Sequence, residues 1–389
     1  MTRDDTLSMA HPEGAPPTKV VDKPRRRRSS MKRGQVIVNV ALFFICFVWL
    51  VPTVGLLVSS FRQPDDIQVS GWWTVLPHGD QVTVSEMPIP AGLDTDGVMT
   101  IEGATGTFAE FRAGIKTPDG RQVVWIGNKR AGRIEIQAPQ VTMNTNLTLD
   151  NYGKVLTGKE YTVTTADGST QQVKGDDMSV AFINSLVVAI PSTLIPILVA
   201  AFAAYGFAWM RFPARGVLFI LVVAMLAVPL QIALVPILRD YVALGLNGTY
   251  LALWLAHTGF GLALAIFLLY NYISELPREL MESAFIDGAS HFQTFWRLIM
   301  PLSVPALAAF AIFQFLWVWN DYLVALIFIG AKAENQVVTQ RLAEIVGSRG
   351  DDWHLLTAGA FVSMLLPLFV FFALQRYFVR GLLSGSVKG

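Results

Sequence analysis

The chain has 389 residues, of which 53% are hydrophobic and 15% are charged, with a mean hydropathy of +0.46 and a formal net charge of +1. Soluble domains carry about 25% charged residues, so the composition excludes an ordinary soluble protein and indicates a membrane protein. The near-zero net charge argues against nucleic acid as a partner, and a single cysteine, Cys46, excludes a disulfide framework or a cysteine metal site.

The chain begins with a basic tail and a first apolar helix. Residues 1–34 are rich in proline, lysine and arginine without apolar periodicity, which predicts a disordered cytoplasmic tail. Residues 35–60 form the first predicted transmembrane helix, whose apolar run is longer than the core of a signal peptide. Five further apolar runs long enough to cross a bilayer lie at about 181–209, 217–238, 250–270, 302–329 and 355–374. The predicted fold is an all-α polytopic membrane protein with six transmembrane helices.

A polar region separates the first two predicted helices. Residues 61–177 contain short runs rich in β-branched and aromatic residues and a Pro-Asp-Gly turn, which predict a small β-rich insertion at about 79–142. Lysine and arginine are concentrated in the loops on the side of the two termini. The positive-inside rule therefore predicts that both termini are cytoplasmic and that the insertion is external.

The third predicted helix contains two prolines, Pro229 and Pro236. Proline in a transmembrane helix frees a backbone carbonyl, and it often marks a bend around a pathway. A passive kink explains these prolines equally well.

A charged segment at residues 275–301 interrupts the apolar runs between the fourth and fifth helices. Each charged side chain would cost roughly 2.5–3.5 kcal/mol at the bilayer centre, so the segment must lie in water or against protein. The sequence "RELMESAFI" predicts a helix and "DGAS" predicts a break. Ser290 and Gln293 then form a predicted capping box that restarts a helix, which Pro301 should end.

The charged segment also carries more aromatic residues than a connector needs, among them Phe285 and Phe292. Such side chains could lie in the lipid interface, fold back against the transmembrane helices, or fill a pocket of a partner protein. The physical pattern leaves these alternatives open.

The segment resembles the EAA loop of ABC importer permeases, whose pattern is E-A-A, three residues, G, nine residues, then I-x-L-P. Glu282, Ser283 and Ala284 stand at the first part of that pattern, Gly288 at its glycine and Pro301 at its proline. The resemblance implies a coupling helix that docks on a cytoplasmic ATPase. Glu282 would contact the ATPase, Ala284 would allow close packing, Gly288 would permit the turn, and the aromatic side chains would share the contact.

Further stretches resemble the smaller permease subunit of maltose-type carbohydrate ABC importers. They are "LTLDNYGKVL" before the second helix, "WNDYLVAL" in the fifth and "GLLSGSVKG" at the C-terminus. The insertion resembles that of the longer permeases associated with α-glucoside uptake. The resemblance makes residues 178–389 the permease domain, with five transmembrane helices and the coupling loop.

The resemblance also implies a function and a set of partners. The function would be uptake of a carbohydrate, such as an α-glucoside or another oligosaccharide, by alternating access in a bacterial inner membrane. The expected partners are a second permease subunit in a heterodimer, a cytoplasmic ATPase dimer, an extracytoplasmic sugar-binding protein and membrane lipid. ATP and Mg would bind to the ATPase subunits, and this chain would bind no cofactor; it contains no Walker A sequence.

Four residues of the fifth predicted helix are candidates for the substrate pathway: Gln314, Trp317, Asn320 and Asp321. Aromatic faces beside amides and carboxylates suit the alternating apolar and hydroxyl surfaces of a sugar. The alternative is that Asn320 and Asp321 hydrogen-bond to neighbouring helices or face water, because polar groups inside a membrane need partners.

Two other functions compete with carbohydrate import. A permease for an anion should carry basic residues inside its transmembrane helices, and none lies well inside the apolar runs. Import of another non-sugar solute, such as a polyamine, remains an alternative. A polytopic membrane enzyme would need catalytic residues at membrane depth, but the sequence has no H-E-x-x-H, no G-x-S-x-G and no acidic cluster within these runs. The sequence predicts neither catalytic residues nor a metal site.

Overall fold

The computed structural model describes residues 33–384, except 91, 159, 165–169, 175–176, 331 and 350–351. Almost all of the predicted basic tail and the last five residues lie outside the described residues. By internal contacts the chain divides into residues 1–51 and residues 52–389. The larger unit carries every element discussed below except the first part of helix α1.

Helices account for most of the described chain. They are α1 (Arg33–Ser60), α2 (Pro64–Val69), α3 (Phe108–Ala113), α4 (Asp150–Thr157), α5 (Met178–Trp209), α6 (Arg215–Met225), α7 (Leu230–Ala243), α8 (Tyr250–Ser274), α9 (Arg278–Ile286), α10 (His291–Thr294), α11 (Met300–Leu302), α12 (Val304–Trp319), α13 (Leu323–Phe328), α14 (Val338–Arg349) and α15 (Trp353–Ser384). Short 3-10 turns occupy Trp72–Val75 and Ala333–Asn335, and a π-helical turn occupies Phe295–Ile299.

Four of the described helices are long and apolar enough to cross a membrane: α1, α5, α8 and α15. Two bent pairs raise the number to six if each pair forms one crossing. In one pair α6 and α7 meet at 101°, and in the other residues 291–302 meet α12 at 72°. The protein is therefore a mostly helical polytopic membrane protein.

Two of the predicted transmembrane helices are interrupted in the structure, one of them at a proline that indicated a bend. The predicted helix at 217–238 ends at Met225, and α7 restarts after Pro229, because a residue before proline avoids helical backbone angles and proline itself lacks an N–H. The predicted helix at 302–329 stops at Trp319 and resumes at Leu323. Asp321 explains the restart, since its carboxylate accepts hydrogen bonds from the backbone N–H groups that begin α13.

The segment between α1 and α5 contains the described strands. They are β1 (His78–Pro88), β2 (Met99–Ile101), β3 (Ala104–Gly106), β4 (Ile115–Lys116), β5 (Gln122–Ile126), β6 (Arg133–Thr142), β7 (Glu160–Thr164) and β8 (Thr170–Lys174). An antiparallel sheet has the order β1-β6-β5-β4, and two hairpins pair β2 with β3 and β7 with β8. Alternate residues of β5, Val123 and Trp125, point into a core that also contains Phe111 and Ile134.

The β-rich region and the loop after α8 lie at opposite ends of the helix bundle, and α5 connects the two ends. Near the start of α5, the Asn184 side chain donates to the backbone carbonyl of Gln336 at 3.0 Å. Near its end, the Tyr205 hydroxyl is hydrogen-bonded to His291 at 2.8 Å. The 21 residues from Asn184 to Tyr205 extend about 31 Å, which matches the thickness of a hydrocarbon core.

Candidate coupling loop and transmembrane cavity

Helix α9 ends in a turn that depends on Gly288. This glycine has a φ of +80°, and a Cβ built on it would meet no atom within 4 Å. Its N–H donates to the Phe285 carbonyl at 3.1 Å, and the next N–H donates to the Ala284 carbonyl at 3.0 Å. Glycine is therefore favoured here by backbone conformation, not by lack of space.

The second helix of the loop begins with the predicted capping box. The Gln293 N–H donates to the Ser290 hydroxyl at 3.3 Å, and the Ser290 N–H donates to the Gln293 side chain at 2.9 Å. The prediction that Pro301 ends this helix is wrong. The chain passes through a π-helical turn, in which the Met300 N–H donates to the Phe295 carbonyl five residues earlier, and continues to Leu302. This wider turn comes directly before proline, whose missing N–H disfavours the ordinary α-helical pattern.

One surface of the loop, which we call the docking face, is exposed. It contains Glu282, Ser283, Phe285, Ile286 and Phe292, of which Ile286 is 84% and Phe292 is 66% exposed. The other residues predicted for coupling differ in position: Ala284 is half-buried, Gly288 forms the exposed turn, and Pro301 lies in α11 beyond the π-helical turn. The face thus combines one carboxylate with a group of uncovered apolar side chains.

The remaining loop aromatics fold back against α5. Phe295 is 1% exposed and stacks on Phe202 of α5, with ring centroids 4.2 Å apart, and Trp296 lies edge-on to the same ring. Tyr205 completes this contact, because its hydroxyl bonds to the Nδ1 atom of His291 and its ring lies 5.6 Å from that of Phe295. One hydrogen bond and an aromatic stack therefore fasten the loop to α5.

The two hinged helices of the loop also touch each other across the turn. The Phe285 ring of α9 lies 4.9 Å from the His291 ring of α10. His291 therefore contacts both α9 and α5. This contact has no local signal in the sequence, since 86 residues separate Tyr205 from His291.

A cavity of about 640 Å³ lies within the membrane domain among α6, α7, α8 and α12. Its walls are mostly apolar, and its polar contributors are Asp240, Tyr241 and Gln314, with Trp317 as an aromatic wall. Two of the four predicted pathway residues, Gln314 and Trp317, thus line it. The sequence analysis did not identify Asp240 and Tyr241 as cavity residues. The signal that could have identified them is an acidic residue shortly after an apolar run that contains prolines.

The polar residues predicted for the pathway have protein partners. Gln314 is 2% exposed, and its amide donates to the backbone carbonyls of Ser192 at 3.1 Å and His257 at 3.2 Å. Asn320 is exposed and donates to the Leu316 carbonyl of its own helix. Asp321 caps α13 and lies 3.7 Å from the Nε2 atom of His257. Neither Asn320 nor Asp321 lines the cavity.

Comparison with known proteins places these features in a family. Residues 177–384 match the binding-protein-dependent transport system inner membrane component family. The chain is 44% identical over 375 residues to an osmoprotective compounds uptake permease protein of Synechocystis sp., covering 95% of this chain and 99% of that protein. It is also 44% identical over 387 residues to an alpha-glucoside transport system permease protein of Rhizobium meliloti, covering 90% and 97%. A melibiose/raffinose/stachyose import permease protein of Bacillus subtilis is 33% identical over 210 residues, covering 54% and 76%.

The first two alignments are long enough to include the region between α1 and α5 as well as the helix bundle. Permeases of this family act together with other subunits of a transport system. The chain therefore belongs to the inner membrane permease components of binding-protein-dependent ABC transport systems, and it is a multi-pass transport subunit and not an enzyme.

Proposed function

We propose that this chain is one of two permease subunits of an ATP-driven importer for an α-glucoside or a related oligosaccharide. The 44% identity, over 90% of the chain, to an alpha-glucoside permease is the observation that supports this substrate class. The equal identity to an osmoprotective compounds permease favours a second candidate for the transported solute, an osmolyte.

The proposed complex contains a second permease subunit, an ATPase dimer that binds ATP and Mg, and an extracytoplasmic solute-binding protein. In it the chain crosses the membrane six times, each bent helix pair making one crossing, and both termini are cytoplasmic. The β-rich region is external, and the docking face meets the ATPase. The placement of these two features at opposite ends of α5 supports this arrangement, and this chain itself binds no cofactor.

The coupling mechanism follows from the contacts of the loop. ATP binding closes the ATPase dimer and displaces the docking face, and the Gly288 turn fixes the angle between the two loop helices. His291 and Phe295 pass the displacement to Tyr205 and Phe202 of α5. Helix α5 packs along α8, which lines the cavity, so the movement changes access to that cavity. Transport requires that nucleotide and the loaded binding protein favour the same state of the permease pair.

The cavity suits part of a sugar ring. Apolar side chains and Trp317 offer flat surfaces for C–H faces, and Asp240 and Tyr241 offer hydrogen-bonding groups for hydroxyls. Its volume lies within the range of small-ligand sites. The second permease subunit completes the pathway on the open side of the cavity.

Reconstitution of the complete transporter tests this proposal. The chain is co-expressed with its partner permease, ATPase and binding protein, and ATP hydrolysis and solute uptake are measured with α-glucosides, other oligosaccharides and non-sugar osmolytes such as betaine. Stimulation by α-glucosides is the expected result. Stimulation by betaine alone would reject the carbohydrate assignment while keeping the importer assignment, and no stimulated hydrolysis with any assembled partner set would reject both.

The hydrogen bond between the loop and α5 should affect coupling efficiency. Tyr205→Phe keeps the aromatic stack and removes the hydroxyl, a change worth roughly 0.5–1.5 kcal/mol. We expect the solute moved per ATP hydrolysed to fall about two- to tenfold while the ATPase still co-purifies. Tyr270→Phe is the control, because it also removes a tyrosine hydroxyl and its ring packs against Phe219 of α6, with ring centroids 4.2 Å apart. If the solute moved per ATP hydrolysed were the same in Tyr205→Phe and Tyr270→Phe, a coupling role for the hydrogen bond would be contradicted.

Two glycines of α8 line the cavity but differ in their surroundings, and they make a matched pair. A Cβ at Gly261 would lie 2.5 Å from the Oε1 atom of Gln314, whereas a Cβ at Gly259 would meet nothing within 4 Å. Gly261→Ala must displace Gln314 from its bonds to two backbone carbonyls. We expect transport to fall at least about fivefold, since a lost buried hydrogen bond costs roughly 1 kcal/mol or more. Gly259→Ala should retain most activity, and the two variants are compared by initial rates of solute uptake.

A further inference from the structure

The exposed apolar side chains of the region between α1 and α5 are concentrated where this region joins α1. Around that junction the exposed large hydrophobic residues are Val69, Trp73, Leu76, Val141, Met143, Leu147 and Leu149. Elsewhere in the region the exposed large hydrophobic residues are Val84, Val98, Ile126 and Leu156. The junction therefore presents a group of uncovered apolar side chains that the proposed transport function does not use.

The segment that carries these side chains is held in a fixed conformation by Arg62. This arginine is 1% exposed, and its guanidinium donates to the backbone carbonyls of Ser70 and Asp66, each at 2.7 Å. The Asn151 side chain donates to the backbone carbonyl of Arg62 at 2.9 Å, and the Asn144 N–H donates to the Thr74 carbonyl at 2.8 Å. These hydrogen bonds hold the turn from residue 64 to residue 76 in a defined conformation.

This turn folds back along the end of α1. The indole of Trp72 packs directly on Gly55, where an added Cβ would lie 2.7 Å from its Nε1 atom. Gly55 precedes the last residue of α1, Ser60, by five residues, which corresponds to about 7.5 Å of helix. Helix α2 also packs against α15, another helix able to cross the membrane. Trp72 therefore lies level with the last turns of a transmembrane helix and not beyond its end.

We propose that residues 67–76, together with Val141 and Met143, form an anchor that lies in the boundary between lipid headgroups and acyl chains on the side of the β-rich region. Residues 67–76, "IQVSGWWTVL", contain no charged side chain, and the surface of α1 next to the turn is apolar, with Val54 43% exposed. The lipid-facing surface of the helix thus continues onto the turn. Paired tryptophans suit this boundary, because an indole combines a large apolar surface with one hydrogen-bond donor.

Spin-label accessibility measures the depth of this turn in the membrane. Because Cys46 is the single cysteine, Cys46→Ser gives a background without cysteine, and Trp73→Cys, Val69→Cys and Val98→Cys are labelled one at a time. The complete transporter is placed in phospholipid nanodiscs, and collisions of each label with oxygen and with a water-soluble nickel chelate are compared. Val98, which is 70% exposed on the β-rich region, is the water-facing control.

The expected result is that oxygen collisions exceed nickel collisions at positions 69 and 73, and that the order reverses at position 98. Nickel-dominated collisions at 69 and 73 would overturn the proposal, because the turn would then face water. Low collision rates with both reagents would also overturn it, in favour of a protein partner covering the turn. Val69→Cys keeps the test valid if Trp73→Cys fails to fold, since Val69 is 83% exposed.

Discussion

Replacing Gly288 by proline is expected to abolish solute uptake, with at least a tenfold loss at full expression of the chain. Proline fixes φ near −65°, whereas this position requires +80°, and proline also removes the N–H that donates to the Phe285 carbonyl. Proline can provide neither the backbone conformation nor the hydrogen bond of this position, so the angle between α9 and α10 must change. Uptake by proteoliposomes that contain the complete transporter is the measurement.

Gly288→Asn separates the backbone requirement from a general sensitivity of the loop. Asparagine tolerates the left-handed region, and the space around Gly288 is open, so this variant should keep uptake within a few-fold of the unmodified protein. Equal loss of uptake in both variants would show that position 288 does not tolerate a side chain, whatever its backbone conformation. Unchanged uptake with proline would remove the turn from the mechanism.

Replacing Phe292 by aspartate is expected to release the ATPase from the permease pair. Phe292 is 66% exposed on the docking face, which suits an apolar anchor for a pocket on another chain. Truncating such anchors commonly costs about 2 kcal/mol or more, so association should weaken roughly 30-fold or more. The ATPase retained by affinity-purified permease, compared at equal permease amounts, gives the result.

Phe292→Leu is the matched control, because leucine keeps an apolar side chain at the same place and should retain the ATPase. The folded state is checked by co-purification of the second permease subunit, because the proposed contact between the two permease subunits does not include the docking face. Retention of the ATPase by the aspartate variant at the level of the leucine variant would show that Phe292 faces solvent or lipid in the assembled transporter.

Local sequence signals predicted much of the candidate site. The Ser290 and Gln293 pair formed its capping box, and Gly288 occupies a positive φ, because both features depend on residues within one or two turns of each other. The apolar runs located the long helices α5 and α8 for the same reason. Such patterns are set by backbone geometry and are therefore readable without knowledge of the rest of the fold.

The features that the sequence did not reveal depend on distant residues or on competing local effects. Tyr205 meets His291, and the Asn151 side chain of α4 donates to the backbone carbonyl of Arg62, only after the chain folds. Pro229 indicated a bend in the third predicted helix, but the angle of 101° between α6 and α7 depends on how the two helices pack in the fold. For Asp321 the sequence left two roles open, a place in the substrate pathway or a hydrogen bond to a neighbouring helix. Its carboxylate accepts backbone N–H groups at the start of α13, a role that any buried acidic residue near a helix start can fill.

Photo-crosslinking from the docking face identifies the subunit that this surface contacts in the assembled transporter. A photo-reactive amino acid replaces Ile286, the most exposed apolar residue of the docking face at 84%, and a second variant carries it at Val98 on the β-rich region. In membranes that contain the complete transporter, we predict a crosslink from position 286 to the ATPase subunit and none from position 98 to that subunit. A crosslink from position 98 to the ATPase, or from position 286 to the binding protein, would contradict the proposed orientation and the coupling role of the loop.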